Sequence, residues 1–333
     1  MVLGKRVGIV TNDQAPDLVD TALLRSRGLQ VEEVAGSCFC CNFTGLIRAT
    51  KELRYHADVL LAEPVGSCTD LASTLLQPLR SMFESDFTHS PLTVLADPKR
   101  LRDVLLGVQN DLSEYTSYIY RMQLEEADII GINKIDRVDS QSIDELRSLL
   151  LKEMPKARLR FISCRMGVGI DQWLEEVVHA AGSAPKRIEV DYEVYALGEL
   201  SLAWFNGDYR LTRTGESRVT WNDYCRRLLS ALQRSLAESG MPIGHVKLLL
   251  STHDGFVSGS VTDFTHDPEL MGDAVEASVA GLVLNARVES TPDELEGLIE
   301  KALDSVGRAD IARETKRAHS KRPGKPQPEY RMS

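Results

Sequence analysis

Short apolar runs alternate with amphipathic segments along the first half of the chain. Residues 5–13 (KRVGIVTND), 57–66 (ADVLLAEPVG) and 91–97 (PLTVLAD) are rich in aliphatic and β-branched side chains, which predicts strands, and the first of them is expected to be buried. Residues 15–28 and 42–56 lie between these runs and carry apolar side chains at helical spacing. Strands that alternate with helices in this way predict an α/β fold, with a mostly parallel sheet and flanking helices.

Polar and glycine-bearing stretches stand where the predicted strands end. The first strand ends in Asn12 and Asp13, a later one runs into EPVG at 63–66, and another runs into NKID at 133–136. Ligands of parallel α/β folds bind at the carboxyl ends of the strands. These exits therefore predict the place of a binding site.

The pattern changes near residue 186. APKRIEVDYEVYA reads as a linker that enters a strand, residues 220–240 predict an amphipathic helix, and HVKLLLST and FVSGSVTDF predict paired strands around HDG. We therefore predict an α/β domain at 1–182 and a small α+β domain at 186–307. Residues 308–333 hold eight Lys or Arg and three Asp or Glu without periodicity, which predicts a disordered basic tail.

Composition narrows the class of protein. The 333 residues are 43% hydrophobic and 26% charged, as in ordinary soluble globular proteins, and no apolar run approaches the roughly 18 residues that span a bilayer. The first residues lack the layout of a signal peptide, so we expect a cytoplasmic protein. The net charge of −10 argues against a nucleic-acid partner. In a reducing compartment the six cysteines favour metal binding or redox chemistry over disulfides.

Three of these cysteines occupy four positions in the stretch GSCFCC, as Cys38, Cys40 and Cys41. Closely spaced thiolates suit a soft metal ion, and the helix predicted from Asn42 would direct its N-terminal dipole toward the sulfurs. A packing or redox role is the alternative to a metal site. Cys68 is a candidate for a fourth sulfur, although a small buried apolar residue is the favoured interpretation for it.

The stretch NKID, with Asn133, Lys134 and Asp136, has the chemistry of a guanine reader. A carboxylate accepts two hydrogen bonds from the ring N–H and the amino group of guanine, a donor pair that adenine lacks. The loop that follows the next predicted strand begins with Ser163, where a further contact to the base is expected. A polar strand-to-helix turn is the alternative interpretation of the tetrapeptide.

The stretch EPVG has the chemistry of a Mg²⁺ and phosphate segment. Glu63 at a strand exit can hold a Mg²⁺-bound water, and Gly66 lets the backbone approach a phosphate. A turn formed by Pro64 and Gly66 is the alternative.

Taken in order, VGIVTND, GSCFCCNF, LLAEPVGSCTD, RMQLEEADIIGINKID and FISCRMGVGIDQWL resemble the CobW/HypB/UreG family of metal-handling GTPases, and its CobW-like branch in particular. The resemblance covers about residues 1–180 and implies a SIMIBI-type P-loop GTPase fold. It implies the following roles: metal ligands at Cys38, Cys40 and Cys41; catalytic switch and Mg²⁺ positions at Asp13, Glu63 and Gly66; guanine contacts at Asn133, Lys134, Asp136 and Ser163.

One family motif is missing from the printed sequence. The family's fold opens with a strand, the loop G-x-x-x-x-G-K-[ST] and a helix, and no such loop occurs in residues 1–333. Met1–Arg6 resembles the end of the helix that would follow the loop. Either the start of the sequence is truncated, which we favour, or the lineage has lost nucleotide hydrolysis. We expect weak or absent GTP hydrolysis by these 333 residues.

The resemblance implies GTP and Mg²⁺ as cofactors and Zn²⁺ or Co²⁺ as the bound metal. It also implies a client metalloenzyme or cofactor-synthesis protein as partner, no membrane association, and a homodimer as one possible assembly. The expected function is a GTP-dependent metallochaperone. The alternative is a metal-binding or scaffold protein that works without nucleotide.

Overall fold

The computed structural model of the chain describes residues 4–13, 18–108, 112–180, 182, 186–214, 220–273, 277–307 and 310–332. The chain divides into two compact units. Unit 1 consists of Met1–Asn12, Ser37–Gly198 and Pro326–Ser333, and unit 2 consists of Asp13–Gly36 and Glu199–Lys325.

Helices and strands follow one another in this order: β1 (Val7–Asp13), α1 (Val19–Ser26), β2 (Gln30–Ala35), α2 (Phe43–Leu53), β3 (Val59–Ala62), a π-helical turn (Ala72–Leu76), α3 (Gln77–Phe83), β4 (Thr93–Ala96), α4 (Pro98–Leu106), α5 (Glu114–Glu126), β5 (Ile129–Ile132), a 3₁₀ turn (Ile135–Arg137), α6 (Ser140–Glu153), β6 (Arg158–Phe161), α7 (Ile170–His179), α8 (Tyr192–Ser201), β7 (Leu202–Arg213), α9 (Trp221–Glu238), β8 (Ile243–Ser251), β9 (Phe256–Val261), β10 (Glu269–Met271), β11 (Val279–Glu289), α10 (Pro292–Gly307) and β12 (Ile311–Lys321).

Unit 1 is built on parallel strands. β1 pairs with β3 from Val7↔Val59 to Val10↔Ala62. β5 pairs in parallel with β4 on one side and with β6 on the other, and all four of its residues are buried. The α/β class predicted from the apolar runs is therefore confirmed, and the exits of these strands carry the polar motifs.

Helix starts in unit 1 follow from local capping. Asn42 caps α2 by accepting a hydrogen bond from the Gly45 amide at 3.0 Å. Asp97 caps α4 in the same way, from the amides of Lys99 and Arg100, with Pro98 at the first helical position. The Asn42 cap lies directly after the stretch with Cys38, Cys40 and Cys41, so it sets where that loop ends.

Unit 2 contains an antiparallel sheet with the strand order β10-β9-β8-β11-β7-β12. The apolar face of α9, with Leu228, Leu229 and Leu232, belongs to one buried cluster with residues of the sheet. The helix starts at the cap Thr220, which accepts a hydrogen bond from the Asp223 amide at 3.1 Å. The predicted amphipathic helix and the β8–β9 hairpin are both present, and the α+β class of this part is confirmed.

Two segments differ from the prediction. The basic stretch at 308–333 is not irregular throughout, because β12 pairs with β7 along its length. Edge strands are often charged, and their backbone hydrogen bonds require no apolar alternation. The stretch DYEVYA forms helix α8 rather than a strand, because Asp191 caps it through the amides of Glu193 and Val194.

The units also divide the chain differently from the predicted boundaries at 182 and 186. Residues 13–36 and the predicted tail up to residue 325 belong to unit 2. The predicted helix end at Met1–Arg6 falls partly on residues 1–3, which lie outside the described residues; Gly4 has a positive φ and β1 begins at Val7. Within the described ranges, no helix is long and apolar enough to cross a lipid bilayer.

Candidate metal centre and nucleotide site

Cys38, Cys40 and Cys41 bring three sulfur atoms together just before α2. The Sγ atoms of Cys38 and Cys40 lie 2.9 Å apart and those of Cys40 and Cys41 lie 3.7 Å apart. All three lie within 4.8 Å of one another. Cys38 and Cys40 are buried, Cys41 is half-buried, and all six cysteines of the chain are free thiols. The structure therefore assembles the predicted thiol cluster.

The end of β1 holds this thiol loop (residues 38–41) in place. The side chain of Asn12 donates to the Ser37 carbonyl and accepts from the Phe39 amide, both at 2.8 Å. Phe39 is fully buried and anchors the middle of the loop. Because Asn12 uses both ends of its amide, the loop is fixed to the strand rather than left to solvent.

The three thiols share their protons unequally. A hydrogen bond from Cys40 lowers the pKa of Cys38 far below its usual value, and the same hydrogen bond raises the pKa of Cys40. Hydrogen bonding to Cys38 raises the pKa of Cys41 to about 11. These hydrogen bonds thus favour the thiolate form at Cys38 and the protonated form at Cys40 and Cys41, whose protons an incoming cation would displace.

The donor set fits a tetrahedral metal ion. With a metal–sulfur distance of about 2.3 Å, the sulfurs of a tetrahedral zinc site are roughly 3.8 Å apart. The 3.7 Å between Cys40 and Cys41 matches this edge, and the 2.9 Å between Cys38 and Cys40 needs only a small separation. Thiolate ligands select Zn²⁺ and other soft cations over Mg²⁺ or Ca²⁺.

A covering segment (residues 326–332) lies against the thiol loop within unit 1. The Gln327 amide donates to the Cys41 sulfur at 3.2 Å. The Glu329 carboxylate accepts from the amide and the hydroxyl of Thr44, at 3.0 and 2.9 Å, in the first turn of α2. An amide donor at the sulfur favours the thiolate form, and the carboxylate satisfies a helix-start amide.

The same covering segment is fastened at its far end by Asp70. Asp70 is fully buried, and its Oδ2 accepts from Arg331 Nε and from the Tyr192 hydroxyl, both at 2.8 Å. Tyr330 packs edge-on against Phe43, the first residue of α2, with ring centroids 5.3 Å apart. The segment thus contacts the thiol loop, the helix behind it and a buried carboxylate.

The candidate guanine site assembles at the exits of β5 and β6. Asp136 Oδ1 accepts from the Ser163 hydroxyl at 2.5 Å, and Asn133 Oδ1 accepts from the Cys164 amide at 3.0 Å. The Ser163 hydrogen bond holds the pKa of Asp136 below its usual value. Lys134 adopts a left-handed backbone with φ of 61°, which turns the chain sharply at the strand end.

This arrangement leaves Asp136 able to meet a ligand. Its side chain is exposed, whereas Ser163 is fully buried behind it. An ionised carboxylate that is positioned by a buried hydroxyl can accept the paired donors of guanine. The structure thus brings three of the four predicted guanine residues, Asn133, Asp136 and Ser163, into one hydrogen-bonded turn.

Glu63 and Gly66 lie at the exit of β3. The Glu63 amide donates to the Val10 carbonyl at 3.0 Å, and its side chain is exposed. A Cβ added at Gly66 would meet no atom within 4 Å, so the backbone there faces open space. Gln123 of α5 donates to the Gly66 carbonyl at 2.8 Å and fixes the turn from behind.

Asp13 lies in unit 2, where it forms an ion pair with Arg287. Both side chains are buried, with 6% of each residue exposed. The guanidinium also donates to Asn206 Oδ1 at 2.9 Å and stacks over the Trp204 ring at 4.3 Å. The structure therefore gives Asp13 a charged partner that the sequence did not suggest.

Glu126, at the end of α5, is a buried carboxyl that the sequence did not single out. Its oxygens accept from the Thr69 hydroxyl at 3.1 Å and from the Ala72 amide at 3.2 Å. Burial raises its pKa from 4.5 to about 7. These two hydrogen bonds connect the end of α5 to Thr69 and Ala72. Because its pKa is about 7, Glu126 changes its protonation state near neutral pH.

We expect the stability of the chain to fall as pH rises from about 4.5 to about 7. The folded state binds the Glu126 proton more tightly than the unfolded state, so in this window stability decreases with increasing pH, by on the order of 3 kcal/mol. Urea unfolding of the parent and of Glu126→Gln at several pH values measures the effect. The difference in unfolding free energy between the parent and Glu126→Gln should change between pH 4.5 and 7. If the unfolding free energies of the two proteins follow parallel curves against pH, the raised pKa of Glu126 is contradicted.

Sequence reasoning missed Asn12, Asp70 and the covering segment as parts of the site. Asn12 was noted only as a polar strand exit, and nothing in the local pattern marks Arg331 as the partner of Asp70. The one available signal was Asp70 itself, the single charged residue of the stretch 66–79, directly after Cys68 and Thr69.

Comparison with known proteins gives a family match to the nucleotide-binding domain of CobW/HypB/UreG over residues 2–160. A zinc chaperone CobW from Pseudomonas aeruginosa is 23% identical over 185 residues, covering 46% of this chain and 48% of that protein. The match thus spans about half the length of this relative.

Solved structures with detectable similarity include HypB from Helicobacter pylori in complex with nickel, at 16% identity and a TM-score of 0.39, covering 52% of this chain and 73% of that one. The Zn(II)-bound YjiA GTPase from E. coli is 12% identical with a TM-score of 0.28, covering 89% of this chain and 98% of that one. These TM-scores are too low to support a fold assignment. The fold described above therefore rests on the strand pairings of the chain itself.

Proposed function

We propose that the protein is a GTP-dependent metallochaperone of the cytoplasm, because residues 2–160 match the model of the CobW/HypB/UreG nucleotide-binding domain. In this proposal Cys38, Cys40 and Cys41 bind Zn²⁺ or Co²⁺ as cargo and deliver it to a client metalloenzyme or a cofactor-synthesis protein. The observation that carries the proposal is the cluster of three free sulfurs within 4.8 Å of one another.

The thiol loop performs the metal step with its own groups. Cys38 supplies a thiolate, and Cys40 and Cys41 release their protons when the cation arrives. Three sulfurs leave one tetrahedral position for a further ligand from this chain, from water or from the client. Burial of Cys38 and Cys40 limits access by water and by competing ligands.

The strand exits perform the nucleotide step. Asp136, positioned by Ser163, accepts the paired donors of guanine, while Asn133 and Lys134 shape the turn. Glu63 is the candidate ligand for a Mg²⁺-bound water. The backbone at Gly66, which has open space beside it, is the candidate for contact with a phosphate. Mg²⁺, when bound, would neutralise phosphate charge beside this exit.

We expect GTP to change the affinity of the chain for Zn²⁺ by at least about fivefold, because coupling free energies between linked sites typically correspond to 5–150-fold. Competition with a chromophoric chelator, with and without millimolar GTP and Mg²⁺, measures the affinity. ATP is the matched nucleotide control, since Asp136 discriminates against adenine, and Asp136→Ala should abolish the effect of GTP.

A second candidate is a metal-binding or scaffold protein that works without nucleotide. The observation that favours it is that residues 1–333 contain no G-x-x-x-x-G-K-[ST] loop to wrap the phosphates. Equal Zn²⁺ affinity in the presence of GTP, ATP or neither would select this candidate over the GTP-dependent one.

A further inference from the structure

The covering segment is held on unit 1 by backbone hydrogen bonds, as a bound peptide is. The Glu329 amide donates to the Cys40 carbonyl and the Met332 amide donates to the Ser73 carbonyl, both at 2.9 Å. The segment itself lies outside any helix or strand. Main-chain hydrogen bonds of this kind provide the affinity of peptide-binding surfaces, and contacts of the side chains provide their specificity.

Three consecutive side chains of the covering segment contact three chemically different places. The Glu329 carboxylate lies at the first turn of α2, where helix-start amides and the helix dipole favour an anion. The Tyr330 ring packs against Phe43. The Arg331 guanidinium forms an ion pair with the buried Asp70 carboxylate. The surface under the segment is therefore complementary to a carboxylate, an aromatic ring and a guanidinium, in that order.

The covering segment closes the thiol loop without belonging to a core. Its Gln327 amide contacts the sulfur of Cys41, the most accessible of the three clustered thiols. The residues Glu329, Tyr330 and Arg331 remain exposed. A segment with few buried apolar groups can open locally while the rest of the chain stays folded. The cover can therefore leave the thiol loop at a lower cost than global unfolding.

We propose that the surface formed by the thiol loop, the first turn of α2 and Asp70 is a docking surface for a peptide segment that carries a carboxylate, an aromatic ring and a guanidinium in consecutive positions. The covering segment is its resident occupant. A client protein that presents a segment of the same chemistry displaces the cover and exposes the thiols. This inference rests on the proposed metal-binding function and adds the chemistry of the partner and the step that opens the site.

Thiol reactivity of the metal-free full chain tests the cover. Toward an excess of dithionitrobenzoate, the clustered thiols of the double variant Glu329→Lys, Tyr330→Ala should react at least about tenfold faster than those of the parent, because lost contacts make local opening easier. The matched control is Gln327→Ala, which keeps the backbone amide that contacts Cys41 and should react at the parental rate. The exposed Cys164 gives a reference rate that should be the same in all three proteins.

A peptide added in trans tests the docking surface. The synthetic peptide PQPEYRM copies residues 326–332 and should slow the thiols of the double variant toward the parental rate at about millimolar concentration, the range in which a tethered segment acts. The control peptide PQPRYEM exchanges the carboxylate and the guanidinium at equal composition and should have no effect. The double variant is used because the tethered segment of the parent competes with the peptide.

Hydrogen exchange on the parent chain gives a test that needs no variant. The amides of Glu329 and Met332, although hydrogen-bonded, should exchange by local opening well before the amides of β5, whose four residues are buried. Equal protection of the two groups of amides would overturn the inference.

The other outcomes separate this inference from the proposed function. Equal cluster rates in the parent and the double variant would overturn it, as would a peptide effect that the exchanged peptide reproduces. Faster reaction of Cys225, which is fully buried in α9, would show loss of the fold instead of loss of the cover and would overturn it too. A parent that binds no Zn²⁺ would overturn the proposed function, whereas the thiol rates, measured without metal, still decide whether the segment is a cover.

Discussion

Replacing Cys38, Cys40 and Cys41 together by serine is expected to abolish the binding of one equivalent of Zn²⁺ or Co²⁺. Serine hydroxyls stay protonated at neutral pH and are poor ligands for soft ions, so the substitution removes three donors at once. Thiolate-rich zinc sites have apparent binding free energies of about 10–16 kcal/mol, so affinity should drop below the range that chelator competition can detect.

Isothermal titration with Zn²⁺, together with the cobalt charge-transfer band, measures this loss. The control is Cys225→Ser, because it alters a buried cysteine in α9 outside the cluster. A triple variant that captures both metals as tightly as the parent would refute the metal-site assignment. A triple variant that no longer binds metal but has the same unfolding free energy as the parent would show that the three cysteines serve metal binding and not core packing.

Replacing Asp13 by alanine is expected to destabilise unit 2 by about 3–5 kcal/mol, because it leaves the buried Arg287 guanidinium without its counter-charge. Burial already lowers the pKa of Arg287, and Asp13 is a group that opposes this shift. Urea unfolding followed by tryptophan fluorescence measures the loss, since Trp204 and Trp221 both lie in unit 2.

The double variant Asp13→Leu, Arg287→Met is the control for this prediction. Apolar replacement of a whole buried ion pair is often neutral or stabilising, so the double variant should recover most of the lost stability. A single Asp13→Ala variant within about 1 kcal/mol of the parent, with an altered response to GTP, would instead favour the switch role that the family resemblance suggests.

The sequence pattern was sufficient to predict those features that depend on residues close together in the chain. Apolar runs predicted β1, β3, β4, β5 and β6, and the run is most complete in β5, where all four residues are buried. The adjacency of Asp136 and Ser163 followed from the order of strands, since the exits of neighbouring parallel strands meet at one edge. The thiol cluster followed from the spacing of its cysteines alone.

The pattern failed where pairing depends on distant residues. Asp13 meets Arg287 and Asp70 meets Arg331 across 274 and 261 positions of the chain, and no local periodicity encodes either contact. β12 was missed because backbone pairing with β7 defines it, whereas its side chains look like those of a solvated tail.

Cys41 and the Gln327 amide that caps its sulfur are separated by 286 positions of the chain. During translation, at about 5–20 residues per second, the ribosome therefore makes the cysteines roughly 15–60 s before it makes their cover. A nascent chain would display uncovered thiols throughout that interval. A metal ion that arrives in that interval would therefore meet the thiol loop without the amide donor that Gln327 gives to the Cys41 sulfur in the finished chain.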